Sequence, residues 1–490
     1  MKHRKNWVGV QIGLVSFVDE GATQVLDILQ EHAHVNALLP STLSWSRGNA
    51  GRGLDWFPDH GKAEPDHLQG GAMTTIHPQY YANTIIKEFR APDPLYQGVD
   101  FLELILPETR KRGMKVYPYY CETAGKDPRP LWVPNIVHVL ELDVWGRTAS
   151  RVCVNNPDYR AWQISYYEDL LRSYPVDGIC WGIERRSPLF NMAEGDVATC
   201  FCPHCRRLAH EAGIDVERAR QGYLAFEEYF DRARSGVAPD GFFVEFLRLL
   251  FAHPDVVRWE KFWVDSHQGL YHQIYGTVKF LAPEKEVGIH VWQLIDTFHP
   301  FLRAQYDLSH LKRCADWVKP VLYNDAAGYR FNRIVASFTK TFLGDFTPAE
   351  ATTFLYRILQ LDEAPWDELP RTGFGAAYVR QRTAQMVRRL GGKIPVYPGL
   401  GIGVQGTGGR ENKQITPDSV RAAVRASYEG GASGICLSRN YSEATLDALS
   451  AVGHALDELG IKESIPDGLS QVAEQKAPQP AAAASADKVF

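Results

Sequence analysis

Three cysteines stand close together in the run CFCPHC, as Cys200, Cys202 and Cys205. A C-x-C-x2-C spacing lets thiolates wrap one soft ion in tetrahedral geometry, and zinc suits such a knuckle. Three thiols leave a fourth ligand to find. His204 lies inside the run, and Cys153, Cys121 and Cys180 are the other candidates. A site closed by four protein ligands is structural, whereas a catalytic zinc keeps a position open. A second chemistry sits on carboxylates at the ends of apolar runs. The run VDGICWGIE ends on Glu184. Burial there favours the protonated form and suits the group to general-acid work. The plain alternative is a rim glutamate paired with Arg185 or Arg186. Glycoside hydrolysis needs an acid and, opposite it, a base or nucleophile. Asp325, in LYND, is the leading partner, with Glu122, Asp296 and Glu443 behind it. Asp325 could equally cap the helix that follows.

Polar and aromatic residues cluster at the same ends. Tyr120, Trp181, His290, Trp292, Tyr323, Asn324 and Arg439 form the expected sugar-binding set. Aromatic faces pack on sugar C–H groups, while His, Asn and Arg hydrogen-bond hydroxyls. Trp45, Trp56, His60 and His77 add to the set from a long segment after the second strand. Strand alternation sends only part of these residues inward.

Positioning them requires an alternation of strands and helices, which the hydrophobic pattern supplies. Expected strands are Trp7–Ile12, Val35–Pro40, Met114–Tyr120, Val176–Glu184, Glu286–Trp292, Asp316–Asn324, Lys393–Gly399 and Ser433–Arg439. Helical patterns lie between them, including Gly21–His34, Asp100–Arg112, Asp158–Ser173 and Thr416–Glu429. Eight apolar strands, each followed by helix, predict an α/β fold of the (β/α)8 TIM-barrel type. A doubly wound sheet would carry a Gly-rich dinucleotide turn after the first strand, and IGLVSFVDE is not one. Long insertions follow strands two, four and six, on the face where barrels build their sites. Residues 1–462 are read as one catalytic barrel, with an insert at 185–283 carrying the knuckle and helices. Residues 463–490, rich in Ala, Gln and Pro, are read as a flexible tail.

The stretch RVCVNNPDYR (Arg151–Arg160), its helix, the strand ending at Glu184 and CFCPHC together resemble the family-42 glycoside hydrolases, typified by β-galactosidases. The resemblance covers Arg151–Cys205. It implies that Cys153, Cys200, Cys202 and Cys205 hold a structural zinc and that Glu184 is the acid/base. The family has Asn-Glu at the end of strand four, whereas this chain has Ile183-Glu184. The family's strand-seven glutamate has no counterpart in VYPGLGIGVQG. The expectation is therefore a divergent, glycoside hydrolase-like enzyme acting on a carbohydrate or glycoside, with no organic cofactor.

Two rivals stand beside it. The glycine-rich run Gly399–Gly409 would suit a phosphosugar aldolase or isomerase, since loops there often hold phosphate. The missing strand-seven carboxylate would suit a non-catalytic carbohydrate-binding barrel. Composition narrows the partners. With 53 Lys+Arg against 58 Asp+Glu in 490 residues, the chain lacks the basic excess of a nucleic-acid binder. No apolar run is long enough for a membrane span, and no secretory signal is read, so the expected compartment is the cytoplasm. A homo-oligomer is left open. Eight cysteines are too few for a disulfide scaffold.

Overall fold

The computed structural model describes residues 6–44, 59–62, 70–92, 98–123, 133–403 and 415–461. Trp45, Trp56, residues 404–409 of the glycine-rich run and the segment 463–490 lie outside the described residues. The fold is α/β with parallel sheets. The strands of its two parallel sheets are β1 (Trp7–Ile12), β2 (Ala37–Pro40), β3 (Lys115–Val116), β4 (Tyr119–Thr123), β5 (Gly178–Glu184), β6 (Glu286–Val291), β7 (Trp317–Pro320), β8 (Gly399–Gly401) and β9 (Gly434–Ser438). One sheet has the order β8-β9-β1-β2-β3 and the other β7-β6-β5-β4. Isolated parallel bridges join them: Ser41 with Tyr119, Val318 with Val396, and Val321 with Gly399. The first strand pairs with the last, Trp7 opposite Gly434, and with the second, Gly9 opposite Ala37.

Prolines explain where strands differ from expectation. The expected third strand divides into β3 and β4 around Tyr117-Pro118, because Pro118 has no N–H to donate. Its carbonyl still accepts from the Cys180 N–H. The expected seventh strand shifts C-terminally to β8, since Pro395 and Pro398 remove donors from the earlier stretch. The sixth ends at Pro320. An antiparallel hairpin, Leu140–Leu142 with Thr148–Val152, was not expected. The Asp143 carboxylate accepts from the Trp145 and Arg147 backbone N–H groups and holds its turn.

Four helices bear on the site. α1 (Pro157–Ser173) starts at Asn156, whose side chain accepts from the Asp158 and Tyr159 N–H groups. α2 (Pro203–Glu211) begins in the cysteine knuckle. α3 (Pro254–Leu281) is the longest helix between β5 and β6. α4 (Asn324–Phe338) begins just after β7, with Tyr323 in the left-handed region at φ 32°. Among the described residues, no helix is long and apolar enough to cross a membrane.

Alternation along the strands makes two buried regions. Val8, Val10, Ile179, Trp181 and Ile183 belong to the core beneath the helices. Ala37, Leu39, Tyr117, Tyr119, Cys180, Trp317, Tyr397 and Cys436 form a separate cluster on the opposite strand face. Trp7 stacks on Tyr397 at 4.1 Å, and Trp317 lies 5.4 Å from Trp7 and 5.3 Å from Tyr117. Gly288 gives these rings room, since a Cβ there would meet the Trp317 ring at 2.1 Å. The result is an aromatic floor near the amino ends of the strands, with polar residues above it.

Candidate active site

Glu184 ends β5 on the same face as Cys180, above the aromatic floor. Its Oε1 accepts a hydrogen bond from His290 Nε2 at 2.8 Å, and the Glu184 side chain is 26% exposed. His290 Nδ1 lies 3.3 Å from the Tyr119 hydroxyl and 3.4 Å from Lys319 Nζ. Lys319, fully buried on β7, also donates to Gln11 Oε1 and to the Tyr323 hydroxyl. The Tyr323 and Ser438 hydroxyls donate to the same Gln11 oxygen, each at 3.1 Å. An ammonium can only donate. His290 Nδ1 therefore accepts, and Nε2 carries the proton offered to Glu184.

The charges agree with this order. Burial pushes the Glu184 carboxyl up, but the His290 hydrogen bond, together with the charges of Arg330 and Lys319, outweighs it and holds the group below its ordinary range. The expectation that burial raises Glu184 is thus corrected: its neighbours win, and the group rests as a carboxylate. Burial and the Lys319 charge push His290 down, against Glu184, so its ring is neutral near pH 7. Lys319 stays an ammonium, raised against the effect of burial by its surroundings. Cys121, Glu184 and His290 bring three ligand-type atoms within 4.8 Å of one another. The Lys319 ammonium against the His290 ring disfavours a dication among them.

Asp325 lies in the first turn of α4, buried, with Oδ1 accepting from the Ala326 N–H at 2.9 Å. A Cβ on Gly401 of β8 would sit 1.7 Å from that oxygen. The Asp325 carboxylate therefore fills space over β8 that a side chain at 401 would take. Arg330, also on α4, lies 5.1 Å from the Tyr323 ring, and its charge interacts with both Glu184 and Asp325. Arg439 is paired with Glu443 at 2.8 Å and interacts electrostatically with Tyr323 and Glu184.

The structure brings Glu184, His290, Tyr323 and Arg439 together. Asn324 is buried where α4 begins, and Trp292 lies beyond β6 with Arg186 at 5.9 Å from its ring. Two expected residues face away. Tyr120 donates to Glu122 in the core beneath the helices, and Trp181 packs on Tyr271 at 4.7 Å. Alternation sends their neighbours Tyr119 and Cys180 to the other face. His60 is bonded to Glu20 at 3.1 Å and His77 to Asp169 at 2.7 Å. Tyr119, the other aromatic read at the end of the third strand, takes the inner position, whereas Gln11, Lys319, Arg330 and Ser438 were missed. The signal for Lys319 was present: a lysine two residues after Trp317 shares its face.

The four expected metal ligands converge. The sulfurs of Cys153, Cys200, Cys202 and Cys205 are buried and within 4.8 Å of one another. Cys153 Sγ lies 3.5 Å from both Cys202 Sγ and Cys205 Sγ. Asn155 Nδ2 donates to Cys205 Sγ at 3.4 Å, and the Cys205 N–H to Cys202 Sγ at 3.5 Å. Tetrahedral ligands at ~2.3 Å from zinc stand about 3.7 Å apart, so the thiol cage fits that ion. One residue from this cage, the Val152 carbonyl accepts from Arg185 Nη1 at 2.6 Å. Arg185 also binds Glu122 at 2.6 Å and Glu141 at 3.2 Å, all three side chains buried. The residue after Glu184 is thereby anchored to the cage.

No family model and no curated protein sequence matches the chain. Solved structures do, glycoside hydrolases among them. The β-galactosidase of Halorubrum lacusprofundi aligns at 12% identity and a TM-score of 0.52, covering 93% of this chain and 58% of that enzyme. The PgaB glycoside hydrolase domain of Bordetella bronchiseptica aligns at 11% identity and 0.49, covering 93% and 98%. The β-galactosidase of Marinomonas ef1 aligns at 11% and 0.49, covering 93% and 61%. At such identities, the likeness to the Halorubrum enzyme shows a shared fold.

Proposed function

We propose that this chain is a glycoside hydrolase-like enzyme on a closed (β/α)8 barrel, enlarged by insertions after its second, fourth and sixth strands. The bridges joining the two sheets at both edges, and the pairing of first strand with last, support the closed ring, with β3 and β4 counted as one strand. Residues 1–462 form one catalytic unit that includes the 185–283 insert, and residues 463–490 take no part in the chemistry.

One observation carries the reading: the Glu184 carboxyl group, hydrogen-bonded by His290, stands at the carboxyl end of a strand and above an aromatic floor. As a carboxylate, Glu184 serves as base or nucleophile at the anomeric centre, and Asp325, delivered over β8, is the partner that protonates the leaving oxygen. The acid role expected of Glu184 needs a proton that the resting site holds off. His290 orients the carboxylate, and Lys319 fixes the ring's tautomer. Tyr323, Asn324, Arg439 and Trp292 contact the sugar. The cysteine cage holds a structural zinc, which stiffens Val152–Cys153 and, through Arg185, the end of β5.

The test is a screen of aryl glycosides and oligosaccharides, with NMR of the released anomer. Cleavage by the wild type and its loss in Glu184→Gln support the reading. Full activity in Glu184→Gln on a cleaved substrate overturns it. A carbohydrate-binding barrel without turnover is the second reading, favoured by the use of Asp325 Oδ1 as an acceptor for its own helix start. Binding without cleavage across the screen establishes that one. A Schiff-base aldolase gains nothing from Lys319, because imine formation needs a free amine and this site holds an ammonium.

A further inference from the structure

A second group of soft ligands lies outside both the mouth and the cysteine cage. His272 projects from α3, and His310 and Cys314 come from the one-turn-plus segment Leu308–Arg313 and its end, just before β7. Their ligand atoms all lie within 4.8 Å of one another. His310 and Cys314 are buried, whereas His272 is half-buried. We propose that His272, His310 and Cys314 form a second metal site, for a borderline dication such as Zn2+ or Co2+, with its fourth position open to solvent.

The geometry is what carries this. Cys314 Sγ stands 3.6 Å from His310 Nδ1. A tetrahedral zinc with bonds of ~2.3 Å to sulfur and ~2.0–2.1 Å to nitrogen spaces those two atoms at about 3.5 Å. The fixed pair is therefore already at ligand spacing. The His272 and His310 ring centroids are 5.7 Å apart, and ligand atoms of all three side chains already lie within 4.8 Å of one another. Two imidazoles and one thiolate select zinc, cobalt or copper over the hard oxygen-seeking ions. The thiol also lies 3.6 Å from the His310 carbonyl oxygen, and binding releases its proton to solvent. Arg313 and Asp307 are the charged neighbours, the first opposing a cation and the second favouring one. The ion would clip α3 to the turn that leads into β7, the strand carrying Lys319.

The experiment uses full-length protein and Zn2+ or Co2+ alone. Zinc uptake is read against a chromophoric chelator, and cobalt by its ligand-field and thiolate-to-metal bands. Wild type should take up one ion more than His272→Ala, and the added cobalt should show the weak charge-transfer band of a single thiolate, absent in Cys314→Ser. Cys202→Ser should keep this ion. His272→Ala, altered only at a half-buried ring, is checked for native circular dichroism. Equal metal content in wild type and folded His272→Ala overturns the proposal, whatever the fate of the cysteine cage or of glycosidase activity.

Discussion

At the scale of the residue, the site is decided by which neighbour of Glu184 wins. Burial alone would protonate it, but a neutral imidazole and two cations keep it ionised. Glu184→Gln should lower turnover by about 100- to 10,000-fold with the fold intact, since one positioned acid–base group contributes that much. The pH profile follows from the direction of the shift. A carboxylate held below its ordinary pKa is present above that range and lost as pH falls through the lowered value. The acid limb set by ionised Glu184 should therefore fall only below the usual carboxylate range. Lys319→Met removes a neighbouring cation, so the acid limb should move to higher pH in kcat/KM. An unmoved limb would mean that Lys319 does not act on Glu184. The direction of this shift was hidden in the sequence. Glu184 and His290 were both legible as strand-end residues, but their 2.8 Å hydrogen bond joins positions 106 apart.

At the scale of the element, two supports position Glu184 and Asp325. Arg185 ties the end of β5 to Glu122, Glu141 and the Val152 carbonyl. Arg185→Leu leaves two buried carboxylates without their cation and should cost about 3–5 kcal/mol, read by urea unfolding. Cys202→Ser should remove the caged ion and loosen the same brace, lowering both metal content and melting temperature. A stable variant with unchanged metal content would dismiss the cage. The second support is an absence of side chain. Gly401→Ala puts a Cβ on the Asp325 carboxylate, so turnover should fall while circular dichroism stays native. An unimpaired Gly401→Ala enzyme would remove Asp325 from the mechanism. Sequence spacing supplied the cage almost whole, because three of its ligands are local. It could not supply the Asp325–Gly401 fit, which depends on how α4 crosses the end of β8.

At the scale of the whole molecule, the apolar rhythm of the chain was enough for an α/β fold with parallel strands. Proline placement then moved three strand boundaries, at Pro118, Pro320 and Pro398, because hydrophobic runs do not report missing donors. Face assignment was the weaker part. Tyr120 and Trp181 have the right residue types at the right strand ends, yet the period-2 alternation turns them under the helices, and Tyr119 and Lys319 take the inner positions. The same inner face predicts how the molecule unfolds. Trp7, Tyr117, Trp317 and Tyr397 come from the beginning, the middle and the last third of the chain, and they pack into one floor. The strand holding Trp7 also pairs with the last strand. Trp7→Ala deletes a stacked, largely buried ring and should cost about 3–5 kcal/mol. Because the floor ties distant segments together, tryptophan fluorescence and far-ultraviolet circular dichroism should shift to lower urea together in that variant. Separate transitions, with fluorescence lost first, would show that the floor opens without the strands around it.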